Sequence, residues 1–254
     1  MQRWILLRGL VREQRHWGAF PAQLAAALPD AQLITPDLPG NGSRCHEASP
    51  TSVAQMVEAC RQQLQQQGMA PPYSLLALSL GGMVAVEWAA RYPQELARCV
   101  LVNTSMRPYS PFYQRLRWQN YGAIARQLLL GSLSEQETLV LRLTSAAGDA
   151  ASRAALVQQW LSYQQEFPVT RRNALRQLWS AARFRAPPQR PQLPTLLLAG
   201  AADQLVDPRC SQKLAQAWQV PLLLHPTAGH DLPLDDGAWV AARIADWLMH
   251  DKAA

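Results

Sequence analysis

The segment Tyr73–Trp88 constrains the fold more than any other part of the chain. An apolar run, Leu75–Leu78, stops at Ser79, and two glycines and a stretch of helix-forming residues follow it. This order predicts a strand, a tight turn and a helix, with the serine at the apex. Such a turn holds its apex residue in an unfavourable backbone conformation, so small residues must flank it, and Ala77 and Gly81 are small. The turn would expose the serine hydroxyl beside the free N–H groups of the helix N-terminus.

The pentapeptide alone is a weak signal. A small-x-Ser-x-Gly pattern occurs often by chance, and a serine between a strand and a helix can simply cap the helix. Serine is a poor nucleophile at neutral pH unless a base lies within hydrogen-bond reach and a carboxylate orients that base. A catalytic role for Ser79 therefore depends on a fold that brings such partners to it.

Apolar strand candidates alternate with helical patterns on both sides of this unit. The candidate strands are residues 3–7, 32–35, 75–78, 99–102, 195–199 and 220–224. This alternation predicts an α/β fold with a mainly parallel sheet of about six strands flanked by helices. In such a sheet the active site lies at the carboxyl ends of the strands.

The alternation stops between residues 105 and 190. Four helical patterns occupy this stretch, at about 111–130, 134–146, 150–166 and 170–183. Because the stretch begins directly after the strand near residue 102, it would lie above the strand ends. We therefore predict a helical lid (cap) at 105–190, inserted into a core formed by residues 1–104 and 191–254.

Two polar residues follow predicted strands on the catalytic side. Asp203 comes just after the strand 195–199, and His230 lies in the loop between the last strand and the last helix. By position, His230 is the best of the five histidines to act as a base towards Ser79, and Asp203 would orient it. Asp207 is the alternative acid, although the proline after it favours a helix cap.

An acyl-transfer intermediate also needs N–H donors for its oxyanion. The backbone of Leu80, directly after the serine, would supply one donor. The other would come from the loop after the first strand, at Leu10.

These features together resemble the α/β-hydrolase superfamily over nearly the full chain. The matching segments are Asp37–Ser43, Ala77–Gly82, Gly200–Val206 and Ala228–Asp231, and the triad order is the order of that superfamily. Within it, the small size and four-helix lid resemble the pimeloyl-acyl-carrier-protein methyl ester esterases of biotin synthesis. The lyase of menaquinone synthesis is a near relative of those enzymes.

The resemblance implies a serine hydrolase that cleaves a carboxylic ester, such as a methyl ester, or an acyl thioester through an acyl-enzyme. Its substrate would be a small-molecule ester, and neither a cofactor nor a metal is expected. Two alternatives stay open: a lyase that uses the same triad as a base, and a non-catalytic receptor or partner-binding member of the fold.

Residue 8 departs from the pattern of the superfamily. Where His-Gly is usual, this chain has Arg8-Gly9. The guanidinium cannot serve as a base. Arg8 would therefore brace the loop that carries Leu10, point into solvent, or bind an anionic group of the substrate.

The net charge of +6 is concentrated in the predicted lid. Residues 107–190 contain twelve arginines, no lysine and four acidic residues, a net charge of +8. No nucleic-acid motif accompanies these arginines, so nucleic acid is not an expected partner. They form either a solvated helix surface or a site for an acidic acyl carrier protein or small anion. Arg171, Arg172 and Arg176 are the candidates because arginine binds carboxylate and phosphate through a planar fork.

The composition is that of an ordinary globular chain of 254 residues, with 48% hydrophobic and 17% charged residues. No apolar run approaches the roughly 18 residues of a membrane span. The apolar run at the N-terminus is too short for a secretory signal. The four cysteines show no metal or disulfide spacing. A cytoplasmic location is the expectation.

Overall fold

The computed structural model describes residues 2 to 251, with one sheet and helices on both of its faces. The strands are β1 (Gln2–Leu7), β2 (Ala31–Ile34), β3 (Tyr73–Leu78), β4 (Leu96–Val102), β5 (Thr195–Gly200) and β6 (Leu222–His225). Their order is β2-β1-β3-β4-β5-β6, and every neighbouring pair is parallel. The predicted fold class is confirmed. Residues 1 and 252–254, which the predicted core also included, lie outside the described residues.

The helices follow the predicted alternation. They are α1 (Phe20–Ala27), α2 (Val53–Gln66), α3 (Leu80–Arg91), α4 (Phe112–Arg115), α5 (Tyr121–Leu130), α6 (Leu133–Thr144), α7 (Ala150–Glu166), α8 (Arg171–Arg183), α9 (Arg209–Trp218) and α10 (Leu232–Asp251). Residues of α1 and α10 pack on one face of the sheet, and residues of α2, α3 and α9 pack on the other.

The central strand β3 shows why both faces must be covered. Its side chains alternate, with Leu75 and Ala77 in the apolar cluster of one face and Leu76 and Leu78 in the cluster of the other. All four are at most 2% exposed. A fully buried leucine contributes roughly 1.5–3 kcal/mol. The strand is therefore apolar throughout, and only its carboxyl end is free to carry polar chemistry.

The chain between β4 and β5, residues 103–194, contains helices α4 to α8 and no strand; we call it the helical insertion. It has a small apolar cluster of its own, built on Leu141, Val157 and Trp160. The predicted lid, residues 105–190, lies within this insertion, and its role as a lid is taken up below.

The prediction of one continuous helix over 111–130 is wrong. Helix α4 ends at Arg115, a short 3-10 turn covers Trp118–Asn120, and α5 starts afterwards. The backbone N–H of Arg117 donates to the Leu205 carbonyl at 2.9 Å, and the Asn120 amide donates to the Gln204 carbonyl at 2.7 Å. These tertiary bonds to the loop after β5 compete with helical hydrogen bonds, and no local pattern announces them.

The apolar pattern of the sequence predicts the last helix over residues 238–249, and in the structure this helix starts earlier. It begins at Leu232 and is kinked at Asp236, whose backbone is not helical. The Asp236 carboxylate accepts from the Trp239 N–H at 2.9 Å and so caps the second part, which is the part that the pattern detected. Among the described residues no helix combines the length and hydrophobicity that crossing a membrane would require.

Candidate active site

Ser79 lies at a sharp turn between β3 and α3. Its backbone has φ 56° and ψ −114°, a conformation that costs a non-glycine residue of order 1–3 kcal/mol. Two hydrogen bonds hold it there: its N–H donates to the Val102 carbonyl at 2.9 Å, and its carbonyl accepts from the Thr104 hydroxyl at 2.9 Å. The turn is thus strained in itself and is stabilised from β4.

The glycines around the turn are required by space. A Cβ on Gly81 would lie 2.4 Å from the Leu7 carbonyl oxygen, and one on Gly82 would lie 2.5 Å from the Thr104 hydroxyl. A Cβ on Gly9 would lie 3.3 Å from the Cβ of Ser79, so the loop after β1 passes directly beside the serine. The Ser79 hydroxyl makes no hydrogen bond within residues 2–251.

His230 and Asp203 form a buried pair. Nδ1 of the histidine lies 2.7 Å from Oδ2 of the aspartate, and the two residues are 3% and 1% exposed. The other carboxylate oxygen accepts from the N–H groups of Leu205 and Val206, each at 2.8 Å. These bonds fix the carboxylate, which in turn fixes the imidazole and leaves its Nε2 available.

Asp207 lies elsewhere and does not contact the histidine. It accepts from the Arg209 N–H at 3.0 Å and pairs with the Arg209 guanidinium. Its side-chain hydrogen bond to Arg209 lowers the pKa of this carboxyl. Asp207 therefore serves the start of α9, as the proline after it suggested.

The two predicted oxyanion donors belong to segments that pass beside the serine. Leu80 is the first residue of α3, where helix geometry leaves N–H groups without an internal acceptor. Leu10 lies in a turn closed by a hydrogen bond of 3.4 Å from the Arg12 N–H to the Gly9 carbonyl. Val11, the third residue of that turn, has φ 53°.

Arg8 is buried and bound to an acidic side chain. Its guanidinium donates to both oxygens of Asp231, at 3.1 and 2.6 Å, and stacks over Trp17 at 4.6 Å. Asp231 directly follows His230 in the chain. The ion pair therefore joins the loop that carries Leu10 to the loop that carries the histidine, which supports the bracing interpretation of Arg8.

The three candidate arginines of α8 differ in their surroundings. Arg171 and Arg172 are exposed. Arg176 is half-buried, and its Nε donates to the Ser49 carbonyl, so it joins α8 to a loop of the core. Within the described residues, no hydrogen bond or ion pair connects any of the three to Ser79, His230 or Asp203.

Two residues that sequence reasoning missed hold the segments that carry Ser79 and His230. Asn103 follows β4 with φ 45°; its amide donates to the Gly229 and His230 carbonyls at 3.1 and 2.7 Å, and its oxygen accepts from the Gly200 N–H at 3.0 Å. Thr104 follows it and supports the carbonyl of Ser79. Their signal was available, since Asn-Thr directly follows a buried strand, at the edge where polar side chains gather.

A second histidine–aspartate pair has a structural role. Nδ1 of His225 accepts from the Ala228 N–H at 3.0 Å, and its Nε2 lies 3.2 Å from the carboxylate of Asp236. The ring thus links the loop that precedes His230 to the kink in α10.

Comparisons with known proteins identify the family of the chain. The model of the alpha/beta hydrolase family matches residues 4–243. Putative carbamate hydrolase RutD of Pseudomonas savastanoi pv. phaseolicola is 29% identical over 250 residues, which are 96% of this chain and 92% of that protein. Human monoacylglycerol lipase ABHD6 is 28% identical over 191 residues, which are 70% of this chain and 55% of that protein. A solved esterase from Thermogutta terrifontis superposes with a TM-score of 0.75 at 20% identity, over 98% of this chain and 90% of that one.

The family match covers both parts of the core and the helical insertion between them. The parallel sheet and the strained serine turn at its centre are the structural counterparts of that match. The chain therefore belongs to the alpha/beta hydrolase family.

Proposed function

We propose that the protein is a serine hydrolase that cleaves a carboxylic ester or an acyl thioester. The observation that carries the proposal is the buried His230–Asp203 pair, with 2.7 Å between Nδ1 and the carboxylate, at the sheet edge where Ser79 is held in a strained turn. A buried carboxylate bound to one imidazole nitrogen leaves the other nitrogen as an oriented base. If the histidine–aspartate pair were only structural, it would not account for the strained backbone of Ser79.

In this mechanism the Ser79 hydroxyl attacks the acyl carbon while Nε2 of His230 takes its proton. Asp203 holds the ring in the required tautomer and stabilises the imidazolium. The N–H groups of Leu80 and Leu10 bind the oxyanion of the tetrahedral intermediate. The imidazolium then protonates the leaving alkoxide or thiolate, and water deacylates the serine by the same route.

The relatives support an acyl substrate without fixing it. One is named a monoacylglycerol lipase, one a putative carbamate hydrolase and one an esterase. Attack by an activated nucleophile on a carbonyl carbon is common to the hydrolysis of all these substrates. An ester or thioester of a small acyl group is the proposed substrate, and a cytoplasmic location, which suits four free cysteines, is part of the same proposal.

Labelling and turnover test the assignment together. A fluorophosphonate should modify wild-type Ser79 stoichiometrically, and Ser79→Ala should lose labelling and p-nitrophenyl ester hydrolysis, with kcat falling on the order of 10⁶-fold. Ser110→Ala is the matched control, because Ser110 is a buried serine of the helical insertion. Folded Ser79→Ala with near-normal turnover would refute the role of Ser79.

Two further outcomes identify the alternatives. Labelling of Ser79 with elimination products in place of a carboxylic acid would indicate a lyase. Tight ligand binding without labelling and without turnover, over esters of varied acyl length, methyl esters and thioesters, would indicate a receptor.

We also propose that the helical insertion acts as a lid, close to the predicted bounds 105–190. It touches both loops beside the serine: the Asp231 N–H donates to the Thr144 carbonyl at 2.6 Å, and the Val11 N–H donates to the side chain of Gln177 at 2.8 Å. An element that is bound to the histidine loop and to the loop after β1 is well placed to control the access of a substrate to Ser79.

The charge of the lid favours an acidic acyl carrier protein as the partner that presents the acyl chain. Within the described residues, none of the twelve arginines of residues 107–190 forms an ion pair with an acid. The four acids of that stretch are used otherwise: Glu135 and Asp149 cap helices, and Glu137 and Glu166 pair with arginines before α1. The positive charge is therefore left for a partner, which it would steer electrostatically.

Salt dependence tests the partner. The kcat/KM for a carrier-linked ester should fall as salt increases, because the Debye length shortens to about 8 Å at physiological strength, while that for a short neutral ester should not. Charge reversal of Arg171 and Arg172 should reproduce the loss at low salt, and Arg243→Glu on α10 is the control. An equal response of both esters, or no effect of the reversal, would leave the arginines as a solvated surface.

A further inference from the structure

Gln177, in helix α8, is a fully buried polar side chain with every polar atom in use. Its Oε1 accepts from the Val11 N–H at 2.8 Å. Its Nε2 donates to the Asn41 side-chain oxygen at 2.8 Å and to the Ser49 hydroxyl at 3.0 Å. All three partners belong to loops of the core. A buried amide with three good hydrogen bonds is specific in its placement, since each partner left unpaired would cost about 1–3 kcal/mol.

The bond to Val11 acts on a turn that is unfavourable for its own sequence. The turn runs from Gly9 to Arg12, and a positive φ at its third residue is the signature of a type II turn, which prefers glycine or asparagine there. Valine is β-branched, and a φ of 53° is a genuine outlier for such a side chain. The sequence therefore favours a different turn, and an external contact must hold this one.

A flip of the central peptide is the alternative. Types I and II differ in the orientation of the peptide between the second and third residues, here Leu10 and Val11. In the type I form Val11 would regain a negative φ, and its N–H would no longer point at Gln177. The hydrogen bond from the Val11 N–H to Oε1 of Gln177 thus stabilises the observed orientation of the Leu10–Val11 peptide against a flip to the type I form.

The same turn carries the proposed second oxyanion donor. The Leu10 N–H belongs to the peptide whose carbonyl, that of Gly9, closes the turn onto Arg12. The hydrogen bond from the Arg12 N–H fixes the carbonyl of this Gly9–Leu10 peptide. The next peptide, between Leu10 and Val11, is held by its hydrogen bond to Gln177. A displacement of about 1 Å in a catalytic group can cost roughly 10²-fold in rate, and an oxyanion donor acts only if its geometry is preorganised.

We infer that Gln177 is a positioning residue for the oxyanion hole, through which the helical insertion sets the conformation of the Gly9–Arg12 turn. The inference rests on the proposed function, because Leu10 is a donor only if an oxyanion forms. Gln177 does not touch the reacting atoms. It acts through Val11. The Leu10 N–H is therefore fully positioned for the oxyanion only when α8 lies where it is observed.

Gln177→Met tests the inference because it keeps the length of the side chain and removes the acceptor. For a neutral p-nitrophenyl ester, kcat should fall about 10- to 100-fold with KM nearly unchanged, which is less than the loss expected from deleting a donor outright. Binding of a trifluoromethyl ketone, whose adduct places an oxyanion in the hole, should weaken by the same factor as kcat/KM. Gln177→Glu, which keeps an acceptor for the Val11 N–H, should recover part of both losses.

Gln164→Met is the matched control. Gln164 is also a buried glutamine of the helical insertion, and its Oε1 accepts a backbone N–H, that of Val169, at 3.1 Å. Its loss should lower the unfolding temperature comparably and leave kcat unchanged. Equal effects of the two Met variants on kcat, or no effect of Gln177→Met, would overturn the inference.

Hydrogen exchange separates this inference from the proposed function. In Gln177→Met the Val11 amide should exchange faster than in the wild type, whatever the protein catalyses. Unchanged protection of Val11 would refute the positioning role even with an active enzyme. If Val11 loses protection and Ser79→Ala stays fully active, the positioning of the turn stands and the hydrolase mechanism, with its oxyanion role for Leu10, falls.

Discussion

The core and the helical insertion distribute polarity in opposite ways. Around the sheet, large apolar side chains are buried, and buried polar groups gather at the strand ends. Of the twelve large hydrophobic side chains that are exposed among the described residues, ten lie in the insertion: Phe112, Tyr113, Trp118, Tyr121, Leu129, Leu130, Leu133, Leu175, Leu178 and Trp179. The core follows the usual pattern of a globular protein, and the insertion departs from it.

Helix α8 by itself shows this reversal, with polar side chains buried and apolar side chains exposed. Its inward side, at spacings of four and three residues, consists of Asn173, Gln177 and Ser180, each at most 5% exposed. Its outward side includes Leu175 and Trp179, which are 51% and 54% exposed. The helix is thus amphipathic with its polar face towards the protein.

The contrast reflects a larger share of directional polar contacts where the insertion meets the core. Hydrophobic burial builds the core and is insensitive to direction. The insertion meets the core partly through apolar residues such as Met106, Phe184 and Ala186, which lie in the main apolar cluster. It also makes directional contacts, such as the buried ion pair of Arg12 with Glu137 and the amide bonds of α8. These polar contacts, which we call the seam between insertion and core, orient the insertion and leave apolar side chains on its outer surface exposed.

The largest effect should come from the chemistry of the core. Asp203→Asn should lower kcat by about 10⁴-fold, because the amide cannot hold the imidazole in the required tautomer. Asp207→Asn should change kcat little, since Asp207 is occupied with Arg209. Esterase assays on both variants, after circular dichroism has shown that they fold, compare the two acids. The reverse ranking would make Asp207 the triad acid.

The core was predictable from the sequence because its signals are local. Strand and helix patterns repeat along the chain, and Asp203 and His230 each follow a strand, which places them at a shared edge before any contact is known. The break after Arg115 was not predictable, because it depends on bonds from Arg117 and Asn120 to a loop far along the chain.

The ion pair of Arg8 and the polar contacts of α8 escaped prediction for a related reason. Arg8 could brace a loop or bind an anion, and only its contact with Asp231, distant in sequence, favours bracing. In α8 the amphipathic pattern was visible, but by the usual rule its apolar face would point inward. The polar partners at Glu47 and Ser49, which reverse the rule, lie more than 120 residues away.

An apolar substitution on the inner face of α8 and a polar substitution on its outer face test whether the polar face packs against the protein. Asn173→Leu should lower the free energy of unfolding by about 1–3 kcal/mol, because its oxygen accepts from the Ser49 N–H and its amide donates to the Glu47 carbonyl. Leu175→Gln on the outer face should change it by no more than about 0.5 kcal/mol. Urea unfolding of the two variants measures both values. If the leucine proves the more costly to replace, the outer face is packed and the contrast with the core fails.

The smallest expected effect is the pH dependence of the free energy of unfolding that arises where the core and the insertion meet. His16, in a 3-10 turn of the core, is 2% exposed and lies against Trp160 and Tyr163 of α7, with ring centroids 5.5 and 5.3 Å away. Burial, with the nearby charges of Arg12 and Arg8, lowers its pKa well below the usual 6.5. The ring therefore stays neutral in the folded protein, at the place where core and insertion meet.

The sign of the pH effect follows from that direction. Below about pH 6.5 the unfolded chain binds a proton at His16 and the folded chain does not, so the free energy of unfolding decreases as the pH falls. The slope from one such histidine is at most about 1.4 kcal/mol per pH unit, and the change between pH 7.5 and 5.5 amounts to about 1.4 kcal/mol. His16→Asn, which keeps an acceptor near the Glu13 N–H, should remove this component and flatten the profile. The exposed His46→Asn should leave the profile steep. Equal profiles for both variants would show that the seam does not keep His16 neutral, and that core and insertion meet there through a solvated contact in place of a buried one.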